Sequence, residues 1–272
     1  MSYYKVFGLE KEPFSTSPDP HFFYHSINHN TALKRLEIAI RLQKGLCLVF
    51  GDVGTGKTTL LRTLVQAFKE EDDFIFHMIL DPGFKSEYEF LSSLVKIFDI
   101  NLAFNSILEF KQALQKYLFQ EGVEENKTIV LLIDEGQKLT SENLEFLRTL
   151  LNFETNEHKL LQLVIMSQLE LLPRIKEVRN FMDRIAFKYL VQPFDKIETK
   201  EMIEFRLRQA GYEAETSLFT NEAIGSIYQH TQGYPRKIIL LCHDSLEAAV
   251  MRDSPIINDE IINSLIASGA SL

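Results

Sequence analysis

The sequence predicts an α/β chain, a parallel sheet flanked by helices and followed by a small all-helical domain. Three observations carry this reading. Short apolar runs alternate with stretches of helical periodicity between residues 46 and 191, the pattern of strand–helix–strand units. The first of these runs leads straight into Gly51-Asp52-Val53-Gly54-Thr55-Gly56-Lys57-Thr58, and a helical pattern follows at once. From Glu198 onward the apolar spacing is helical only, so a boundary falls near residue 193 and divides the chain into residues 1–192 and 193–272.

Taken in order, residues 1–31 set Tyr3, Tyr4, Phe7, Phe14, Phe22, Phe23 and Tyr24 among Pro13, Pro18 and Pro20. This suits irregular backbone whose rings pack along a larger domain. Leu33, Leu36 and Ile40 mark a helix that Lys44-Gly45 ends. Leu46-Cys47-Leu48-Val49-Phe50 reads as a buried strand, and Leu60, Leu61, Leu64, Val65 and Phe68 recur at helical spacing. A second strand over residues 74–80 closes on the turn residues Asp81-Pro82-Gly83. Helices follow over 88–98 and 106–118. Residues 128–133 form an apolar strand, and Thr140 caps a helix carrying Leu144, Leu147, Leu150 and Leu151. Residues 159–167 and 185–191 complete the strands. Beyond the boundary, Ile203, Leu207 and Ala210 share a helix face closed by Gly211, and helical patterns recur over 220–228, 236–251 and 259–266.

A strand, a glycine-rich turn with the spacing G-x-x-x-x-G-K-T, and a helix start form the phosphate cradle of P-loop NTPases. The spacing differs from that of a dinucleotide fingerprint. Glycines let successive backbone N–H groups point at one anion, and the positive end of the helix adds to the attraction. Lys57 is placed to reach the β- and γ-phosphates and the Thr58 hydroxyl to hold Mg²⁺, with Gly51 to Thr59 as the nucleotide-binding set. In a parallel sheet ligands sit at the carboxyl ends of the strands. Asp134, at the end of the 128–133 strand, would face the metal, and Glu135 would orient or deprotonate the attacking water. Taken alone, such an acid pair reads equally well as a solvated turn.

Other candidates keep two readings each. Gln168 ends the next strand and either contacts the γ-phosphate or its water, or is simply a solvated strand end. Arg236, after the turn Gly233-Tyr234-Pro235, either reaches the phosphates or lies on the surface. Arg184 before the last strand either acts in trans on a neighbour's nucleotide, as arginine fingers do, or stands exposed beside Asp183; Arg179 is a rival for the same role.

Thirty-eight acidic residues against 29 basic ones give a formal charge of −9, which argues against coating nucleic acid by bulk attraction. Cys47 and Cys242 fit no metal spacing and read as reduced, buried thiols. His21, His25 and His29 are spaced by four, but the surrounding prolines and aromatics favour a loop over a metal-binding helix face. The N-terminal segment is not a secretion signal, and no apolar run has membrane-spanning length. A cytoplasmic location is expected.

The order of motifs resembles the ExeA/GspA family of AAA+ ATPases, the ATPase module named from general secretion. The similarity runs from Tyr3-Tyr4-Lys5-Val6-Phe7-Gly8-Leu9, Pro13-Phe14 and Pro18-Asp19-Pro20-His21-Phe22-Phe23-Tyr24 through His29 before Ala32-Leu33 to Asp134-Glu135-Gly136-Gln137. It continues over residues 147–155, Ser167-Gln168-Leu169-Glu170-Leu171, Arg184, Glu198-Thr199, 206–211 and Gly233 to Arg236, so it covers nearly the whole chain. Gly136 and Ser167 stand where the family usually has Ala and Gly. The resemblance implies an AAA+ fold with a helical lid, ATP bound between sheet domain and lid, and Arg236 as second sensor. It also implies a ring-like homo-oligomer with Arg184 supplied across the interface. Full-length members continue into a membrane span and a peptidoglycan-binding region, whereas this sequence stops at Leu272, so the secretion role of the name is not expected to carry over.

Three functions follow. The first is an ATP-hydrolysing AAA+ motor or switch that assembles or remodels a protein partner in envelope, secretion, pilus or exopolysaccharide systems. The second is a DNA-associated ATPase regulating transposition, which the acidic balance disfavours. The third is an ATP switch without turnover, which Glu135 argues against because a pure switch has no need of that acid.

Overall fold

The computed structural model describes residues 3–100 and 106–269. Five strands, β1 (Leu46–Phe50), β2 (Phe74–Ile79), β3 (Thr128–Ile133), β4 (Leu161–Ser167) and β5 (Ile185–Leu190), form one sheet in the order β2-β3-β4-β1-β5, every pairing parallel. All residues of β1, β3 and β4 are buried, which is why each reads as an unbroken apolar run. At one edge β5 alternates between half-buried and exposed positions.

Helix α1 (Ile27–Arg41) precedes β1, and α2 (Lys57–Ala67), α3 (Glu87–Ile97), α4 (Ile107–Phe119), α5 (Ser141–Leu150) and α6 (Leu171–Glu177) connect the strands. Phe90, Leu94, Phe110, Leu114, Leu147 and Ile175 share a core with Leu131, Ile133, Leu163 and Ile165. Thr140 caps α5 as expected, its hydroxyl accepting the Asn143 N–H at 3.2 Å. Helix α1 begins inside the segment expected to be irregular. Its inward face is His29, Ala32, Leu33, Leu36, Ala39 and Ile40, and the polar and small residues at its start hide the period. His29 is therefore buried in a helix. Histidine His25 rests edge-on against Phe23, and His21 is exposed.

A second compact unit is built from α7 (Lys196–Gln209), α8 (Asn221–Thr231), α9 (Pro235–Met251) and α10 (Asp259–Ser268). Asp195 and Glu198 form a reciprocal capping box at the start of α7. Contacts group the described residues of Met1–Asn28 and Val53–Thr59 with Gln192–Leu272, and His29–Asp52 with Leu60–Val191. The sequence reading placed residues 1–28 with the sheet; they pack instead with the helices, because Leu9 and Phe14 fill a core made by Ile203, Leu207, Phe219, Ile238 and Leu241. Phe14 meets Phe219 edge to face. Buried Arg206 fastens the same segment, donating from Nε to the Pro13 carbonyl at 2.8 Å and from Nη2 to that of Ser15 at 3.3 Å, with its guanidinium over the Phe22 ring. Burial pushes the Cys47 thiol up to about 12 and raises that of Cys242, so both are inert packing groups.

Candidate functional site

Parallel pairing brings the carboxyl ends of β1, β3 and β4 to one edge of the sheet, with Phe50 level with Ser167 and Ile133 level with Ile165. Asp134 follows β3 directly and is only 3% exposed, with its own N–H held by the Ile79 carbonyl at 2.8 Å. Glu135 adopts a left-handed conformation, φ 50 and ψ 36, that costs a non-glycine residue about 1–2 kcal/mol. The Glu135 N–H bonds back to the Asp134 carboxylate at 2.9 Å. Strain of this kind persists only where neighbours over-determine it, and here they do. Gly136 is wedged so tightly that an added Cβ would lie 2.4 Å from Ile165 Cγ2. Arg174 of α6 donates to the carbonyls of Gln137 and Leu139.

Gln137 completes the cluster, and sequence reasoning gave it no role of its own. Its Nε2 donates to Glu135 Oε2 at 2.5 Å, while its Oε1 accepts the Gln168 N–H at 3.2 Å. The sheet thus brings Asp134, Glu135 and Gln168 to one edge. It does not bring Arg184 there within the chain: Arg184 ends the turn Met182–Arg184 that precedes β5, at the amino edge. The charge of Arg184 helps to lower the Lys159 pKa, after burial as the larger cause. Arg179 is exposed and lines a surface groove with Glu142, Glu145 and Glu177.

The loop itself belongs to the second unit. Gly54 and Gly56 have φ of +82° and +92°, left-handed positions that glycine fills without strain. Thr55 is fully buried and Lys57 is 7% exposed. Helix α2 starts at Lys57, so Lys57, Thr58 and Thr59 form its first turn, at the positive end of the helix. Pro235 is the first residue of α9, and the Arg236 N–H donates to the Gly54 carbonyl at 3.2 Å. The Arg236 side chain is exposed. An added Cβ on Gly54 would lie 3.1 Å from Arg236 Cβ, so the loop keeps its concave backbone only with glycine there. This cradle of backbone donors beside a buried lysine fits the phosphates of a nucleotide. The Thr58 hydroxyl is a hard oxygen of the donor type that Mg²⁺ takes.

A loop of G-x-x-x-x-G-K-T spacing directly after the first strand of a five-stranded parallel sheet, with paired acids directly after its third, marks a P-loop NTPase of AAA+ fold. The chain belongs to the AAA domain family, which matches residues 40–175. It is 34% identical over 254 residues to general secretion pathway protein A of Aeromonas hydrophila, a match covering 93% of this chain and 46% of that protein. The resemblance expected from the N-terminal box and the Asp-Glu-x-Gln run is borne out. The chain spans less than half the length of this relative. Its fold is similar to that of Cdc6p from Pyrobaculum aerophilum, with a TM-score of 0.67 and 19% identity over 90% of this chain and 67% of that one. The Thermotoga maritima RuvB branch migration motor is also similar, at a TM-score of 0.60 and 17% identity over 90% of this chain and 69% of that one. Among the described residues no helix is long and apolar enough to cross a membrane.

Proposed function

We propose that this chain is an ATPase whose cycle assembles or remodels a protein partner of the cell envelope. The observation that carries the reading is the acid pair Asp134-Glu135 at the same sheet edge from which β1 leads into the glycine cradle. In this reading residues 51–59 bind ATP through their backbone donors and the Lys57 ammonium. Mg²⁺ on Thr58 and Asp134 would neutralise charge on the phosphate oxygens. Glu135 accepts a proton from the attacking water, and Gln168 orients that water or the γ-phosphate. The helices after residue 192 serve as a lid carrying Arg236 as sensor. Arg184 acts from a neighbouring copy in a ring-like, ATP-dependent assembly in the cytoplasm, which its place at the amino edge of its own sheet favours. A partner within a secretion system is supported by the name of the Aeromonas relative, general secretion pathway protein A.

Steady-state phosphate release tests the enzyme. Lys57→Ala is expected to abolish it, and Glu135→Gln to slow it about 100-fold or more while ATP still binds. Normal turnover in both variants would overturn the assignment. Sizing the protein with and without ATP tests the assembly. Binding to duplex DNA that requires ATP and weakens steeply with salt would move the partner to a transposition system.

A further inference from the structure

We propose that Gln137 is a positioning residue, a neutral rod that ties Glu135 to the end of β4. Its catalytic consequence rests on the ATPase reading, whereas the tie itself rests on geometry. An amide has one end that only donates and one that only accepts. The Gln168 N–H can only donate, so it must meet the Oε1 end of the Gln137 amide and leaves the Nε2 donor for the Glu135 carboxyl group, the arrangement observed. The Ser167 hydroxyl approaches the same Oε1 at 3.5 Å. Freedom to drift is removed at the backbone, where Arg174 holds the Gln137 carbonyl and Gly136 is wedged against Ile165.

Two consequences follow for Glu135. One carboxylate oxygen, Oε2, is engaged by the amide, so the orientation of the Glu135 carboxylate is set before any water arrives. Because the amide is uncharged, it orients the carboxylate without neutralising it, as a lysine or arginine in its place would. Displacing Gln168 at the end of β4 pulls on Oε1 of Gln137 and thereby on Glu135. A change sensed at β4 therefore reaches the base through one side chain.

The test uses the full chain and two readouts. In nucleotide-free protein, backbone amide exchange at Gln168 is followed by NMR in wild type, Gln137→Met and Glu135→Ala. Losing one hydrogen bond is expected to speed exchange about 2- to 12-fold, and Glu135→Ala should do so as well because its effect passes through Gln137. In turnover assays Gln137→Met, nearly isosteric and chosen to preserve folding, is expected to lower kcat about 10- to 100-fold with KM changed less than about threefold. Exchange at Gln168 that ignores Glu135→Ala overturns the tie, as does wild-type turnover in Gln137→Met. Equal losses in kcat and nucleotide affinity would mark Gln137 as merely structural and also overturn it. If wild-type protein releases no phosphate, the ATPase reading fails and the exchange readout still decides the tie.

Discussion

Gly233 is the position where a single methyl group has the most calculable effect. It turns the chain between α8 and α9 at φ +75°, and an added Cβ would stand 1.8 Å from the Phe194 carbonyl oxygen and 2.8 Å from its carbon. The Gly233 carbonyl also accepts the Phe194 N–H at 2.9 Å. Gly8 offers an internal control, since it has φ +73° but nothing within 4 Å of its added Cβ. Gly8→Ala therefore carries only the left-handed backbone cost, about 1–2 kcal/mol. Gly233→Ala carries the same cost, about 1–3 kcal/mol for forcing the Phe194 backbone aside, and about 1 kcal/mol for the hydrogen bond that moves with it. The expected loss is about 3–6 kcal/mol, and the gap between the two variants about 2–4 kcal/mol. Urea unfolding followed by far-ultraviolet circular dichroism measures both, and their difference isolates the steric part. If Gly233→Ala proves no more destabilising than Gly8→Ala, the close approach to Phe194 is wrong.

Phe14→Ala, which empties a fully buried ring site in the helical core, is expected to cost about 3–5 kcal/mol; a loss below 1 kcal/mol in the same urea assay would show that residues 3–28 do not pack there. Arg206→Met removes both bonds to the Pro13 and Ser15 carbonyls, so limited proteolysis is expected to cut first within the N-terminal segment, and unchanged cleavage there would count against the tether. His77 is held below its usual pKa by burial, the largest cause, partly offset by a backbone hydrogen bond to Ile97. The unfolded chain therefore takes up a proton that the native state refuses. Stability present above about pH 6.5 is lost as pH falls through that value, by at most about 1.4 kcal/mol per pH unit. In His77→Gln that acid-side loss is expected to shrink when urea midpoints at about pH 7.5 and about pH 5.5 are compared, and an undiminished loss would assign it to another group.

What the sequence reveals here depends on how local each signal is. β1, β3 and β4 are legible because burial on both faces demands continuous apolar runs, and α5 because Thr140 caps it four residues before the first buried leucine of its stripe, Leu144. Helix α6 escapes because it is only seven residues long and carries Pro173 in its first turn, where proline is tolerated but reads as a breaker. The start of α1 escapes because His29 and Ala32 do the work of larger apolar residues. The aromatics of residues 3–28 announce packing without naming a partner, since the core they enter lies some 190 residues further on, as with Arg206 and Pro13. The same holds at the site. The cradle and the Asp134-Glu135 pair are contiguous in sequence, whereas Gln137 acquires its role only when β4 sets Gln168, 31 positions away, beside it.

The division of the chain into units also has a consequence for synthesis. Leu9 and Phe14 have no finished core to enter until residues up to Ile262 exist. On a ribosome the sheet, complete by Val191, can close while that earlier aromatic segment still waits in water. Folding of the helical unit is therefore necessarily late, and the wait leaves Phe7, Phe14 and Phe22 available to chaperones or to other nascent chains. Slowing translation between residues 192 and 262 would lengthen that exposure without changing a single contact of the finished protein.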